Sequence, residues 1–359
     1  MKRFGIFTSV ICFLVLVLFP TAGNAQASFN LIDTVKIEEV IVTGTRVEVS
    51  GKKVPLTVAL ITQEEIELLK GDQIIISAIH VAVQTPEFIR ALMRKKVTAI
   101  AFEYLKDQHN SYSIVRSMSE IAGSTSILIA AEYLSNIRQG KGEMLGGITG
   151  VKPSEIIIIG AGSAAECAAR TAIGLGAMVK VFDDTIFRLR RLQYELGLRI
   201  FTSVLQPKVL SSALRTADVV IGAKHLIDQR PKYYITEEMV QNMKPHSVII
   251  DISIDQGGCC ETSQITSHSN PVFRKHGVVH YCVPNIPSRV ARTASYAISN
   301  VFAPILQKLG EAGSIKQFLK ENIGMRHGIY IYNGILTNEY IGSQFGISSQ
   351  DIDLLMAAF

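Results

Sequence analysis

Short apolar runs alternate with longer helix-like stretches along most of the chain, from about Gly71 onwards. Apolar runs separated by helix-like segments are typical of the buried strands of a parallel sheet. After Pro287, the stretch from Ala291 to Leu309 predicts a long helix, and the tail to Phe359 contains further helical patches. The runs that predict strands lie at 72–80, 97–102, 156–159, 178–182, 218–221, 247–252 and 278–281. The pattern therefore predicts an α/β fold.

The N-terminus follows a different pattern. Residues 1–3 are basic after the initiator, residues 4–19 are almost wholly apolar, Pro20 ends the run, and residues 21–25 are mostly small. This layout is typical of a secretory signal peptide that ends at Ala25. The apolar core is shorter than the about 20 residues that span a membrane, so no stable span is expected. An uncleaved anchor or a hydrophobic helix is the alternative.

Residues 26–70 form a second distinct segment. Two β-rich runs, 40–43 and 56–61, are followed by Thr62 and Glu65, which have the spacing of a capping box at a helix start.

This segment resembles the start of the plug domain of TonB-dependent outer-membrane receptors. The resemblance runs from about Lys36 to Leu69 and includes Val-Thr-Gly-Thr-Arg at 42–46. The remaining chain lacks the succession of roughly ten-residue alternating strands that a barrel needs. The resemblance therefore ends near Leu69, and a generic β-hairpin is the alternative.

Composition excludes several classes of protein. Hydrophobic residues make up 48% of the 359 residues and charged residues 19%, so a real core can form. The net charge is +5 and no run of Lys and Arg exceeds three, which does not support nucleic-acid binding. The cysteines number five and include no CxxC pair, so we expect neither a disulfide framework nor a metal site.

The strongest chemical signal is the sequence Gly160-Ala-Gly-Ser-Ala-Ala165, which follows an apolar strand and opens a predicted helix. Gly160 permits a tight turn, Gly162 lets backbone N–H groups approach a pyrophosphate, and the small Ala165 allows close helix–strand packing. Asp183 ends the next predicted strand, 23 residues after Gly160. A carboxylate there binds the ribose hydroxyls of NAD and repels a 2′-phosphate. The alternative is a glycine turn beside a solvated acidic pair.

From about Gly71 to at least Gly324 the chain resembles alanine dehydrogenase, of the family shared with the nicotinamide-nucleotide transhydrogenase α chain. The segments that carry this resemblance are 97–103, 118–123, 140–147, 160–165, 217–223, 236–240, 251–258 and 276–287. The resemblance implies a Rossmann-type parallel sheet domain inserted in a second α/β domain, which is incomplete here.

The resemblance also suggests the domain boundaries. We expect a signal peptide at 1–25, a plug-like fragment at 26–70, a remnant of the substrate domain at 71–117, an NAD-binding Rossmann domain at 118–287, and a linking helix with the C-terminal part of the substrate domain at 288–359.

The family oxidises L-alanine to pyruvate and ammonium with hydride transfer to NAD. His80 matches its catalytic histidine and Asp255 its catalytic aspartate, and the chemistry needs such an acid–base group and such a carboxylate. The alternatives are a core histidine and a turn aspartate. By the same match, the residues expected to contact NAD are Ser119, Gly160, Gly162, Ser163, Ala165, Asp183, Arg188, Val283, Asn285 and Ile286.

Arg188 and the cysteines near the expected coenzyme site need separate comment. Arg188 can flank the adenosine phosphate or ribose, but it is equally an ordinary surface arginine of an Arg-rich helix. Cys259, Cys260 and Cys282 are expected to be buried thiols and not nucleophiles, because the sequence places no base beside them.

The chain departs from the family before Gly71. The "Pro-Lys-Glu" and "Val-Lys-Glu-Pro" segments, whose arginine and lysine hold the substrate carboxylate, are absent, and neither Arg46 nor Lys52 lies in such a motif. Loss of this cationic clamp removes charge-assisted hydrogen bonds. Because the leader and the plug-like segment occupy the place of this first part, we expect a chimera. Its NAD domain should be competent or nearly competent, and its alanine turnover should be weak or absent.

The family implies a cytoplasmic homo-oligomer, whereas the leader indicates export to the periplasm. Two other functions stay open. The chain can be an NAD(H)-binding protein without alanine turnover, like the transhydrogenase α chain, or a non-enzymatic exported fragment that uses its plug-like segment for interaction.

Overall fold

The computed structural model describes Ile66 and residues 68–79, 84–224 and 233–358. The predicted signal peptide, most of the plug-like segment and His80 lie outside these residues. The chain divides into two compact units: one contains the residues up to Val115 together with those from Ser295, and the other contains Arg116–Ala294. The second unit is thus inserted in the sequence of the first.

The strands are β1 (Ile74–Ser77), β2 (Thr98–Ala101), β3 (Glu155–Ile159), β4 (Met178–Asp183), β5 (Phe201–Val204), β6 (Val219–Gly222), β7 (Val248–Asp251), β8 (Val272–Lys275), β9 (Val278–Tyr281), β10 (Ile329–Tyr332) and β11 (Ile335–Leu336). The helices are α1 (Pro86–Arg94), α2 (Ser113–Leu134), α3 (Ser163–Gly174), α4 (Ile186–Leu196), α5 (Pro207–Leu214), α6 (Glu237–Gln241), α7 (Ala291–Glu311), α8 (Ile315–Glu321), α9 (Ile323–Arg326), α10 (Glu339–Phe345) and α11 (Ile352–Ala358).

The discontinuous unit is built on a sheet with the strand order β1-β2-β10-β11. Strands β1 and β2 are parallel, and β10 is antiparallel to both of its neighbours. Successive residues of β1 face opposite sides, because Ile75 belongs to one apolar cluster and Ile74 and Ile76 to another. Leu92 of α1 packs in the first cluster and Phe318 of α8 in the second. Both faces of this sheet are therefore covered, which explains why β1 reads as a continuous apolar run.

The inserted unit contains a sheet with the order β5-β4-β3-β6-β7-β9-β8, in which only β8 is antiparallel to its neighbour. From β5 to β9 this is the strand order of the doubly wound dinucleotide-binding fold, and its direction of winding reverses between β3 and β6. Ligands of such sheets bind at the carboxyl ends of the strands beside that reversal. The predicted fold class, a Rossmann-type parallel sheet domain inserted in a second α/β domain, is confirmed.

The central strand β3 is buried on both faces. Ile156 and Ile158 pack with apolar residues of α2, α3 and α4, whereas Ile157 and Ile159 pack with residues of α5 and α6. Helix α2 approaches α3 closely at Gly123, where a Cβ would lie 2.1 Å from the carbonyl oxygen of Ala164.

The structure tests two predictions about the C-terminal part of the chain. The long helix after Pro287 is confirmed, since α7 spans Ala291–Glu311. The tail contains helices α8–α11 as expected, but it also supplies β10 and β11, which the sequence did not predict. The four residues of β10 are all buried, and a run this short has no periodicity that separates a strand from a helix.

Candidate functional site

The loop between β3 and α3 requires glycine at its first position. Gly160 has a φ of +110°, and its N–H donates to the carbonyl of Phe182 at 2.7 Å. A Cβ here would lie 2.5 Å from the carbonyl oxygen of Ala223. Both the conformation and the lack of space exclude a side chain, so the tight turn depends on Gly160.

Gly162 leaves the N-terminus of α3 open to a ligand. Apart from its chain neighbours, no heavy atom of the described residues lies within 4 Å of the position that its Cβ would take. Ser163 begins α3, and Ala165 is fully buried against the sheet. Amides of the first helical turn lack partners inside the helix and favour a negative charge. This arrangement fits the pyrophosphate of a dinucleotide such as NAD.

Two acidic residues at the end of β4 differ sharply in exposure. The Asp183 side chain is completely buried, whereas that of Asp184 is 52% exposed. Asp183 accepts hydrogen bonds from Ala161 N at 2.9 Å and Thr185 N at 2.9 Å. Lys224 Nζ lies 3.1 Å from Asp183 Oδ2 and 2.5 Å from Asp184 Oδ1. The predicted ribose ligand Asp183 is therefore occupied by donors of the protein itself.

The charge on Asp184 is stabilised by its neighbours. Burial raises its pKa, but the hydrogen bonds from Lys224 and Thr185 outweigh burial and lower the pKa to about 2. Asp184 is thus ionised at every pH at which the protein would work.

Arginines of α4 add positive charge close to this edge. Arg188 is exposed on the first half of the helix. Arg191 donates to the carbonyl oxygen of Ala161, in the glycine loop, at 3.4 Å.

Asp251, the last residue of β7, fixes the loop that follows it. Its carboxylate accepts from Ser253 N at 3.2 Å, Cys259 N at 2.8 Å and Ser263 Oγ at 2.7 Å. A Cβ on Gly258 would lie 2.8 Å from Asp251 Oδ2. The loop therefore closes around one buried carboxylate.

The fixed loop presents the predicted catalytic aspartate. Asp255 lies in a 3-10 helix, Ile252–Gln256, and is exposed at the carboxyl edge of the sheet. Gly257 ends this helix with a φ of +106°. The backbone thus turns immediately after Asp255, and the residue lies on the surface of the inserted unit.

The remaining predicted coenzyme contacts lie after β9 and on α2. Val283 and Ile286 are buried, whereas Asn285 takes a left-handed φ of +55° before a 3-10 helix, Ile286–Val290. Ser119 is half-buried on α2.

The thiols match the sequence interpretation. Cys259, Cys260 and Cys282 are buried. Burial raises the pKa of Cys260 to about 11 and that of Cys282 to about 12. Since the thiolate is the nucleophilic form, none of these residues is suited to attack a substrate.

Sequence reasoning missed Lys224 and Asp251. Lys224 lies two residues after the end of β6. A lysine so close to the end of a buried strand is the sequence feature that could have identified it. No sequence signal identified Asp251, because its hydrogen-bond partners lie in a loop whose conformation the sequence does not predict.

Among the described residues, no helix combines the length and the apolar character needed to cross a membrane. The described His, Cys, Asp and Glu side chains include no group of three or more placed to hold a metal ion.

Replacing Gly160 by alanine should abolish or strongly weaken NADH binding, because the loop must move away from Ala223 to admit a Cβ. We expect at least a ten-fold rise in the dissociation constant, which corresponds to about 1.4 kcal/mol, measured by NADH fluorescence titration. Gly174→Ala is the matched control, since its Cβ meets nothing within 4 Å among the described residues. Equal affinities for the two variants would contradict this account of the turn.

Asp251 should make stability depend on pH. Burial raises its pKa to about 6, above the usual 3.8, so the folded chain favours the protonated form. The stability that this proton contributes is present below pH 3.8 and is lost as the pH rises through about 6. Compared with Asp251→Asn, the unfolding free energy should fall by about 2 kcal/mol from pH 4 to pH 7. Urea unfolding at several pH values measures this, and parallel profiles for the two proteins would refute it.

Comparisons with known proteins identify relatives that cover most of the chain. The sequence model described as "Alanine dehydrogenase/PNT, C-terminal domain" matches residues 126–339, and the one described as "Alanine dehydrogenase/PNT, N-terminal domain" matches residues 24–122. The second range includes residues 26–70, and the comparisons give no support to a plug fragment, a chimera or a signal peptide.

Individual relatives agree with these matches. The alanine dehydrogenase of Methanococcus maripaludis is 37% identical over 311 residues, which cover 85% of this chain and 83% of that protein. The enzyme of Bacillus subtilis is 38% identical over 284 residues, covering 79% and 74% of the two chains. A solved structure named L-alanine dehydrogenase has a TM-score of 0.72 at 33% identity and covers 78% of this chain and 77% of its own. The chain belongs to the alanine dehydrogenase/PNT family.

Proposed function

We propose that this protein catalyses the NAD-dependent oxidative deamination of L-alanine to pyruvate and ammonium. The observation that carries the proposal is the common location of the glycine loop and Asp255 at the carboxyl edge of one sheet. Both the coenzyme and a reacting group belong at this edge in folds of this type. The similarity to alanine dehydrogenases supports the substrate.

The reaction balances as L-alanine, NAD⁺ and water giving pyruvate, ammonium, NADH and a proton. NAD, when bound, supplies the acceptor for the hydride that leaves the alanine Cα. The protein must then hold the amine, guide water to the imine carbon and move protons. Asp255 is exposed and suited to accept hydrogen bonds from the amine or from that water.

His80 is proposed as the acid–base group, on the strength of its match to the family's histidine. An unperturbed imidazole changes charge near neutral pH, which suits a group that both donates and accepts protons. His80 lies outside the described residues, so this role rests on the sequence.

We propose that the coenzyme lies along the loop at Gly160–Gly162 and the start of α3. The pyrophosphate would meet the amides of the first turn, and the adenosine ribose would meet the acidic end of β4. The residues proposed to line this path are Ser119, Gly160, Gly162, Ser163, Arg188, Val283, Asn285 and Ile286. The buried Ala165 and Asp183 are proposed to support the glycine loop beneath the coenzyme.

The proposal includes weak turnover of alanine. The sequence lacks the two motifs whose arginine and lysine hold the substrate carboxylate in the family. Alanine is small and offers few other groups to bind. Loss of these charge-assisted hydrogen bonds should therefore mainly weaken the binding of alanine.

Absorbance of NADH, formed from L-alanine and NAD by the purified chain, tests the function. Asp255→Asn should lower kcat by about 100-fold or more, as expected for loss of an acid–base or orienting group, while NADH affinity stays the same. The control is Asp353→Asn, an exposed aspartate that pairs with Arg326 in the other unit. Unchanged turnover in Asp255→Asn would refute the assigned role.

The wild-type result separates the alternatives. A KM for alanine in the usual range of enzymes would overturn the proposed impairment. NADH binding without any alanine turnover would favour a transhydrogenase-like binding protein, and absence of NADH binding would favour a non-enzymatic exported fragment.

We further propose that residues 1–25 form a cleaved leader directing export, although the dehydrogenase chemistry belongs to the cytoplasm. The intact mass of the chain expressed with its own N-terminus tests this. A chain beginning at Gln26 supports the leader, and a full-length mass overturns it.

A further inference from the structure

Asp255 lies on a short turn, and a buried carboxylate binds the start of that turn. The turn is the 3-10 helix Ile252–Gln256, and Asp251 is the residue directly before it. Asp251 Oδ1 accepts a hydrogen bond from Ser253 N at 3.2 Å. An acceptor side chain in front of a helix satisfies an N–H group of the first turn, which has no partner inside the helix. The start of the turn is therefore fixed by Asp251.

The other oxygen of Asp251 binds the far end of the same segment. Its Oδ2 atom accepts from Cys259 N at 2.8 Å, from Cys260 N at 3.3 Å and from Ser263 Oγ at 2.7 Å. The chain between these bonds and the start of the turn has Asp255 near its middle. The two oxygens of one carboxylate thus hold the chain on either side of Asp255.

Two glycines let the backbone close around this carboxylate. A Cβ on Gly222, at the end of β6, would lie 2.9 Å from Asp251 Oδ1, and a Cβ on Gly258 would lie 2.8 Å from Asp251 Oδ2. Asp251 is only 1% exposed, so its carboxylate cannot touch a substrate. Any contribution that it makes to the reaction must therefore pass through the backbone that it holds.

Neighbouring segments also bind the two flanks of the turn. Ser253 Oγ donates to the carbonyl oxygen of Lys224, just beyond β6, at 2.7 Å. At the far end, the carbonyl oxygen of Cys259 accepts from Tyr234 N at 3.0 Å. Asp251 joins these two flanks through one side chain, so the turn between them is closed at its base.

We propose that Asp251 is a positioning residue of the dehydrogenase: by holding both ends of the turn, it sets the place at which the Asp255 carboxylate meets the substrate amine or the attacking water. This inference rests on the proposed function. Catalytic geometry tolerates little error, since a misplacement of about 1 Å can cost roughly 100-fold in rate. Hydrogen bonds to an ionised carboxylate are stronger than those to a neutral group, so a neutral residue of the same shape isolates the contribution of Asp251.

The kinetics of Asp251→Asn test this role. Asparagine keeps the shape but offers only one acceptor oxygen, so its NH2 group faces the N–H donors at one end of the turn. We expect kcat for alanine oxidation to fall by roughly ten- to 100-fold. The KM for NAD and the affinity for NADH should stay the same, because the hydrogen bonds of Asp251 go to segments other than the glycine loop. A merely structural role would lower stability and leave the kcat of the folded variant unchanged.

Asp218→Asn is the matched control. Asp218 is also a buried aspartate of this sheet, but it lies at the amino end of β6, where it pairs with Lys141 and Lys244. Its replacement should lower stability and leave kcat unchanged. Circular dichroism must first show that both variants are folded. Should Asp251→Asn unfold, Ser263→Ala removes only the hydroxyl donor to Oδ2, and it should lower kcat several-fold with NADH affinity unchanged.

Hydrogen exchange gives a readout that needs neither coenzyme nor alanine. In the full chain without ligands, the amides of Ser253, Cys259 and Cys260 donate to Asp251. Mass spectrometry of peptides that cover residues 252–260 should show faster exchange in Asp251→Asn, whereas Asp218→Asn should match the wild type in this segment. Wild-type exchange in Asp251→Asn would contradict the inference.

The kinetic outcomes separate this inference from the proposed function. A wild-type kcat in folded Asp251→Asn would overturn the inference and leave the proposed function intact. An equal loss of kcat in Asp251→Asn and Asp218→Asn would also overturn it, because any buried aspartate of the sheet would then have the same effect. Absence of alanine turnover by the wild-type chain would overturn the proposed function and this inference with it.

Discussion

The close approach of Gly160 to the carbonyl of Ala223 is the constraint on which the inserted unit depends. It brings the ends of β3 and β6 together at the point where the winding of the sheet reverses. A side chain at Gly160 would push these ends apart, because the opposing atom is a backbone oxygen and cannot rotate away. The open start of α3 follows from this turn, so the ligand-binding geometry and the packing share one cause.

Buried carboxylates bind neighbouring segments at both ends of the strands of this sheet. At the amino end of β6, Asp218 pairs with Lys141 and Lys244, each at 2.7 Å. At the carboxyl ends, Asp183 and Asp251 collect hydrogen bonds from loops that come from different parts of the sequence. An isolated buried charge is expensive, and these three are retained with several donors each. Asp183 and Asp251 thus tie down the loops at the carboxyl edge, where the glycine loop and Asp255 lie.

At the carboxyl edge, buried aspartates lie close in sequence to exposed ones. Asp183 and Asp251 are buried, whereas Asp184 and Asp255 are exposed at the same edge, one residue and four residues further along the chain. Nearby positions thus differ in exposure, because successive residues beyond a strand end leave the sheet in different directions. A motif that identifies the acidic end of β4 does not by itself say which carboxylate meets the coenzyme.

The sequence alone determined the strand–helix alternation, the glycine loop after β3 and the position of Asp255 just beyond β7. These are local properties, set by apolar periodicity and by the conformational freedom of glycine at Gly160. Only the tertiary structure decided that Lys224 meets Asp183 and Asp184, about 40 residues earlier in the chain. It also decided that β10 pairs with β2, more than 200 residues away. Contacts of this kind depend on packing and on the pairing of buried charges. Both act between segments that are far apart in the sequence, so no local sequence pattern predicts them.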